Sequence, residues 1–370
     1  MKYYLIAGEA SGDLHGSNLM KALAARDSQA QFRMWGGDRM ASVGGELVRH
    51  YRDTAYMGFV EVVFNLPDIL RNLKRCKADV LEFAPDALIL IDYPGFNMRI
   101  ARWAHHRNIK VFYYIAPQVW AWKAKRTKEL KEIVDELYVI LPFEKAFFEN
   151  HGFKVKYVGH PLLDALNDIS QGEKMLKLQS KLDGRPVLAL LPGSRLQEIK
   201  AALPIMLETT RQFEDYQVVI GGLKAIERKV YTDMIEKWGI GELVLDQTHQ
   251  LLSHANLAVV SSGTATLESA LLGVPQVVCY KGGYLSFQVA KRLVNVPYIS
   301  LVNLILDRPL VTELIQNDFN VSDLKKALSR LQEDKNLKTI EAGYEEIRTM
   351  LKDKGASGRV AADILNHLQN

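Results

Sequence analysis

Cysteine is almost missing from this chain. Cys76 and Cys279 are the two among 370 residues, far apart and in no ligand-like spacing. This argues against a disulfide framework and points to a reducing compartment. Cys76 stands among Lys74, Arg75 and Lys77, but no partner motif for a reactive thiol accompanies it. Long apolar runs are missing too. The N-terminal Tyr3–Ala7 run is too short for a signal-peptide core, and no later segment suits a bilayer span. A cytoplasmic protein is expected, with contact to a membrane surface the one membrane role left open. Strong charge is lacking as well. The 47 basic and 43 acidic side chains leave a formal charge of +4, with no long Lys/Arg block, so nucleic acid is not an expected partner.

What is present is the balance of a folded globular protein, 48% hydrophobic and 24% charged, at a length that suits two domains. Short apolar runs alternate with helical patterns from end to end. Strands are expected at Tyr3–Ala7, Ala87–Ile91, Lys110–Ile115 and Leu137–Leu141. A second series covers Val187–Leu191, Gln217–Ile220, Leu243–Leu245, Leu257–Val260 and Gln276–Tyr280. Apolar runs without polar alternation suit parallel strands covered on both faces. The reading is an α/β chain with two Rossmann-like domains facing a central cleft. Residues 1–165 form the first domain, 166–184 a linker and 185–320 the second domain. Residues 321–370 form a helical C-terminal segment whose last helix has two open destinations, the first domain or a second subunit.

Three strand ends carry glycine turns that open helices. The first holds Gly8, Glu9, Ser11, Gly12 and Asp13. The second holds Gly193, Ser194 and Arg195, and the third Ser262, Gly263, Thr264, Ala265 and Glu268. Glycine allows close backbone approach, and a helix N-terminus offers unpaired N–H groups to an anion. Any one of these turns is as well explained by ordinary capping; three together favour a nucleotide site. There is no Gly-x-Gly-x-x-Gly after a strand and no Gly-Lys-Ser/Thr, which favours a nucleotide sugar over a redox dinucleotide or ATP. With no Asp-x-Asp pair to hold a metal, a diphosphate would fall to Arg195 and backbone N–H groups. Glu268 suits either two ribose hydroxyls or the helix dipole. Asp92, in Ile91-Asp-Tyr-Pro-Gly-Phe-Asn97, stands at a strand tip, where it serves equally as a catalytic base or as a helix cap.

Two stretches suit a greasy, anionic ligand. Met57, Phe59, Val60, Val63, Phe64 and Leu66 make one segment apolar nearly all round. Trp120 and Trp122 run straight into Lys123, Lys125 and Arg126, an interface-like pairing of tryptophan with cations. Ordinary core plus a solvated helix face explains both stretches equally well.

Taken in order, Gly8–Asp13, Met57–Val62, Ile91–Asn97, Pro117–Trp122, Leu141–Phe147, Leu190–Arg195 and Ser262–Glu268 resemble the lipid-A-disaccharide synthase family, with the likeness running through Ser300-Leu-Val-Asn303. The resemblance implies a GT-B fold and an inverting transfer without cofactor or metal. A diacylglucosamine unit would pass from UDP to the 6-hydroxyl of diacylglucosamine 1-phosphate, giving a β-1,6 disaccharide in lipid A biosynthesis. It implies a homodimer seated peripherally on the cytoplasmic face of the inner membrane of a Gram-negative cell. It makes Asp92 the candidate base, Arg195 the diphosphate arginine, and Ser11, Asp13, Asn303 and Glu268 cleft residues. Ala10, Tyr93 and Gly95 depart from the family pattern, which bears on acyl-chain preference. The alternatives are a UDP-sugar 2-epimerase and a non-catalytic UDP-sugar-binding protein at a membrane.

Overall fold

Five apolar residues in a row, Ala87-Leu-Ile-Leu-Ile91, form a strand with every side chain buried. Such a strand needs helices on both sides, the arrangement of a parallel sheet. The computed structural model describes residues 1–53, 66–122, 126–166, 181–282, 296–351 and 354–369, with the backbone alone at Trp122. It divides into two units, Met1–Ala165 with Leu351–Asn370, and Leu166–Met350. Most of the 166–184 stretch read as a linker lies outside the described residues.

The first unit holds seven strands: β1 (Lys2–Ala7), β2 (Gln31–Gly36), β3 (Glu46–His50), β4 (Ala87–Ile91), β5 (Val111–Tyr114), β6 (Glu136–Val139) and β7 (Lys156–Tyr157). They pair in parallel in the order β3-β2-β1-β4-β5-β6-β7. Alternation along β1 builds a core on each face. Tyr4 and Ile6 join Leu88, Leu90 and Tyr113 on one side. Tyr3 and Leu5 join Ile89, Phe112 and Tyr138 on the other, covered by Leu19, Met20 and Leu23 of the Ala10–Ala24 helix.

The C-terminal helix Ala356–Gln369 completes this second face, where Val360, Ala361, Ile364 and Leu365 enter the core. Burial of each large aliphatic stabilises by about 1.5–3 kcal/mol, so the helix is a substantial part of the unit. Polar ties fix its register. The Tyr138 hydroxyl and Lys156 Nζ each donate to Asp363 at 2.8 Å. The Asp164 carboxylate accepts the Gly355 and Ser357 N–H groups at 2.5 and 3.0 Å. Glu136, Asp363 and His367 cluster closely enough to hold a cation, and the ammonium of Lys156, bonded to both carboxylates, fills that role. The helices of segment 321–370 therefore part company: Val321–Leu331 and Asp334–Met350 belong to the second unit.

The second unit holds β8 (Val187–Leu191), β9 (Gln217–Gly222), β10 (Glu242–Leu245), β11 (Ala255–Ser261), β12 (Gln276–Tyr280) and β13 (Thr312–Ile315), ordered β10-β9-β8-β11-β12-β13 and again parallel. Val187, Ala189, Leu191, Val219 and Val260 anchor one apolar face. The structure adds four strands that no apolar run announces: β2, β3, β7 and β13. β2 carries a charged side chain, Arg33, that pairs with Asp79 at 2.7 Å. The other three are short, partly exposed edge or near-edge strands. Among the described residues no helix is long and apolar enough to cross a membrane.

Candidate functional site

In each sheet the strand order reverses at one place, between β1 and β4 in the first unit and between β8 and β11 in the second. Connections leave these neighbouring strands in opposite directions, which opens a crevice at their carboxyl ends. The loops after β1, β4, β8 and β11 are the four singled out from the sequence. They carry Glu9–Asp13, Asp92–Asn97, Gly193–Arg195 and Ser262–Glu268.

In the first unit the chain turns sharply after β4. Asp92 and Tyr93 both take left-handed backbone, at φ 45° and 50°. Such geometry costs on the order of 1–3 kcal/mol per residue and persists only where the surroundings enforce it. Here the Asp92 carbonyl accepts the Tyr113 hydroxyl at 2.7 Å and Asn97 Nδ2 at 2.8 Å, while the Asp92 N–H donates to the Tyr114 carbonyl at 3.1 Å. Asn97 is fully buried and its Nδ2 also reaches the Ile6 and Ile91 carbonyls at 3.3 Å, so it braces the tips of β1 and β4. The helix Pro94–His105 has Tyr93 at its N-cap and no side-chain cap, which removes the capping reading of Asp92. The Asp92 side chain is partly buried. Burial pushes its carboxyl up to about 6; the Tyr93 N–H pulls down and the Glu144 charge adds to the rise.

The first glycine turn is filled by the protein itself. A Cβ on Gly8 would lie 2.3 Å from the Tyr93 ring, which stacks on Phe96 with centroids 5.4 Å apart. Asp13 is buried, and its carboxylate accepts the N–H groups of Gly37, Arg39 and Met40 at 2.7, 3.1 and 3.0 Å. It thus caps the Asp38–Val43 helix. Glu9 holds the N-cap position of Ala10–Ala24, Ser11 is partly exposed on the first turn, and Gly12 is buried there.

Glu144 escaped the sequence reading. It starts the Pro142–Asn150 helix, is 1% exposed, and accepts from the Ile140 and Leu141 N–H groups at 2.9 Å each and from Trp120 Nε1 at 3.0 Å. Burial pushes its carboxyl up to about 7. Pro142 followed by Glu144 announces a helix start, but nothing local announces the burial. Among the lipid-facing candidates, Met57, Phe59, Val60, Val63, Phe64, Lys123 and the Trp122 side chain lie outside the described residues. Leu66 opens the Leu66–Phe83 helix at 47% exposure, and Leu70, one turn on and also missed, is 56% exposed. Trp120 and Arg126 are partly exposed.

In the second unit Gly193 has a positive φ of 117°, and a Cβ there would lie 2.7 Å from Glu198 Oε2. Glu198 accepts the Ser194 N–H at 3.2 Å and pairs with Arg195 at 3.1 Å. Its carboxylate sits at the start of the Leu196–Thr210 helix, as an anion there should. The Arg195 side chain is 56% exposed. Gly263 and Thr264 are exposed at the start of the Thr264–Leu271 helix, and Ala265 is partly exposed. Ser262 Oγ donates to the Ile299 carbonyl at 2.8 Å, and Glu268 pairs with His249 at 3.4 Å. Asn303 is buried with its amide fully used. Nδ2 donates to the Val311 carbonyl and Glu313, and Oδ1 accepts the Leu310 and Val311 N–H groups, all at 2.8–2.9 Å. That makes it a brace between the Leu301–Leu306 helix and the segment that leads into β13.

Comparison with known proteins places this geometry. The family profile for lipid-A-disaccharide synthetase matches residues 3–362. A lipid-A-disaccharide synthase of Trichlorobacter lovleyi is 37% identical over 372 residues, covering 99% of this chain and 97% of that protein. One of Pseudomonas putida is 36% identical, covering 99% and 98%. Among solved structures, the glycotransferase of kitacinnamycin matches with a TM-score of 0.67 at 14% identity over 99% of both chains. A UDP-GlcNAc 2-epimerase from Neisseria meningitidis, solved with UDP-GlcNAc bound, matches at 0.65 and 13% identity over the whole of both. At such identities the structural likeness speaks for the fold alone, and that fold is GT-B. The profile match and the near-complete alignment to relatives above 30% identity settle the family: the chain belongs to the lipid-A-disaccharide synthases, glycosyltransferases of lipid A biosynthesis.

Proposed function

We propose that the chain moves a diacylglucosamine unit from UDP onto the 6-hydroxyl of a diacylglucosamine 1-phosphate, with inversion at the anomeric carbon. One observation carries the assignment of the base: Asp92 stands on an enforced left-handed turn at the strand-order reversal, with its carboxyl raised to about 6. A base tuned toward neutrality is what proton removal from a sugar hydroxyl asks for. Asp92 takes that proton as the acceptor oxygen bonds to the anomeric carbon. The bond from that carbon to the diphosphate oxygen breaks, and its electron pair leaves with UDP. Arg195 and the N–H groups opening Leu196–Thr210 and Thr264–Leu271 stabilise the departing charge. The diphosphate takes the place that the Glu198 carboxylate holds on Arg195.

The same reading seats the protein peripherally on the cytoplasmic face of the inner membrane. Leu66 and Leu70 are exposed on one helix beside exposed Arg71, Lys74 and Arg75, an apolar and cationic pairing suited to an anionic lipid surface. We also propose a homodimer, which light scattering checks as a particle of twice the 41.8 kDa chain mass.

The test is incubation with UDP-diacylglucosamine and diacylglucosamine 1-phosphate, with products read by mass spectrometry and anomeric NMR. A β-linked disaccharide and UDP are expected. Asp92→Asn should nearly abolish the product while UDP binding persists; near-normal turnover removes Asp92 from the role. Conversion of UDP-GlcNAc with no acceptor would support the epimerase reading instead. UDP binding without UDP release in the presence of both lipids would support a non-catalytic one.

A further inference from the structure

We infer that Glu144 is a positioning residue for the acceptor side, its carboxylate fixing the Trp120 indole next to the strand tip that carries Asp92. What Trp120 is positioned for rests on the glycosyl-transfer reading above; the link between the two side chains does not.

The tips of β4, β5 and β6 are neighbours in the sheet. Asp92 follows β4, the short Val119–Trp122 helix follows β5, and Leu141–Glu144 follows β6. A helix of four residues has no cooperative stability of its own, so its side chains hold position only through outside partners. Glu144 supplies one. Its Oε2 accepts the Ile140 and Leu141 N–H groups and closes the turn before Pro142, while its Oε1 accepts the Trp120 indole N–H. The indole is a donor only and needs such an acceptor. The adjoining Phe143 supplies a second hold, meeting the Trp120 ring edge to face at 4.9 Å between centroids. A partly exposed aromatic gripped on two sides is a rigid contact surface for the apolar part of a substrate.

The choice of glutamate follows from the geometry. Glutamine keeps one oxygen for the two backbone donors, but its NH2 then faces the indole N–H, donor against donor. Burial of a carboxylate at 1% exposure is costly. At this third helical position one side-chain oxygen suffices to reach back to the Leu141 N–H, as a capping box requires; the indole accounts for the second oxygen. Glu144 is also the charged side chain that adds to the rise in the Asp92 carboxyl, which agrees with its place beside that tip.

The experiment compares wild type, Glu144→Gln, Trp120→Phe and the double variant, each labelled with 15N-tryptophan. Loss of one indole N–H signal in Trp120→Phe identifies it. Glu144→Gln should move that signal and leave the others in place. Each single variant should lower kcat/KM for the acceptor lipid by about tenfold or more, through KM. UDP affinity by calorimetry should stay within about twofold. The double variant should lose no more than the worse single one, because both changes break one contact. An unmoved Trp120 signal in Glu144→Gln, or single losses that multiply in the double, overturns the inference. If Glu144→Gln does not fold, Trp120→Phe decides alone, since an unchanged lipid KM overturns it. A moved signal in a protein whose wild type forms no disaccharide sinks the transfer reading and leaves the Glu144–Trp120 link standing.

Discussion

Replacing Gly8 with alanine sets a methyl carbon 2.3 Å from Tyr93 Cγ and 2.5 Å from both δ carbons. Carbon atoms rest about 3.5–4.0 Å apart, so the ring has to withdraw by about an ångström or more. Its retreat is blocked. The Tyr93 backbone is already left-handed, its ring lies on Phe96, and Phe96 in turn packs on Trp35 with centroids 5.5 Å apart. Overpacking of this kind costs about 1–3 kcal/mol. Because Tyr93 follows Asp92 directly, the strain passes to the proposed base, and kcat should fall by about tenfold or more. Tyr93→Ala removes the obstacle, so Gly8→Ala in that background should cost little stability. Urea denaturation of the four proteins, at unchanged m-value, gives the coupling, expected at about 1–3 kcal/mol. Equal cost of Gly8→Ala in both backgrounds refutes the reasoning, because the glycine would then serve something other than the Tyr93 ring.

Two further outcomes follow from the site. Asp92 accepts a proton only when ionised, and its carboxyl is raised to about 6, so kcat/KM should fall about tenfold per pH unit below 6; an acid limb near 4 would show that burial is not felt. The sign for stability is the reverse of the usual carboxylate case. A folded-state value above the unfolded one means protons bind more tightly in the fold, so this group's contribution is lost as pH rises from about 4 through 6. Asp92→Asn should therefore gain on wild type in denaturation midpoint over that range, and a constant gap would contradict it. Asn303→Leu removes four hydrogen bonds from a buried site and strands the Leu310 and Val311 N–H groups. A loss of at least about 3 kcal/mol is expected from calorimetric or denaturant unfolding, and a loss under about 1 kcal/mol would show that the helix and β13 are not braced there.

Strands with uninterrupted apolar sequence, β4 and β8 among them, were legible because burial on both faces leaves no polar position. β3 and β13 were not, since each carries polar side chains and takes its strand form from a neighbour. The loops of the site were legible as glycine turns at strand ends, but the reason for the glycines was not. Gly8 and Gly193 read as room for a ligand; the structure places the Tyr93 ring and the Glu198 carboxylate in that room. Asp92 read equally as a base or a cap, and the backbone torsions and the N-cap at Tyr93 remove the cap alone. Asp13 looked like a titratable cleft residue because its three donors, 24 to 27 positions away, are invisible locally. Glu144 stayed hidden for the same cause, its indole partner lying 24 positions earlier.

The first unit is built from two separate stretches, Met1–Ala165 and Leu351–Asn370, and Met1 and the Ala356–Gln369 helix pack into one core face. The second unit is an insertion within the first, and this sets an order of assembly. Domains generally fold as they emerge, at about 5–20 residues per second. The second unit ends at Met350, so it is complete while the first still waits for its closing helix. The first unit, whose first strands precede the second unit in the chain, is thus the last to finish folding, with Phe112 and Tyr138, which meet His367 and Asp363 of that helix, left open in the interval. A chain cut after Met350 carries a finished second unit and a first one left open and adhesive where its closing helix belongs.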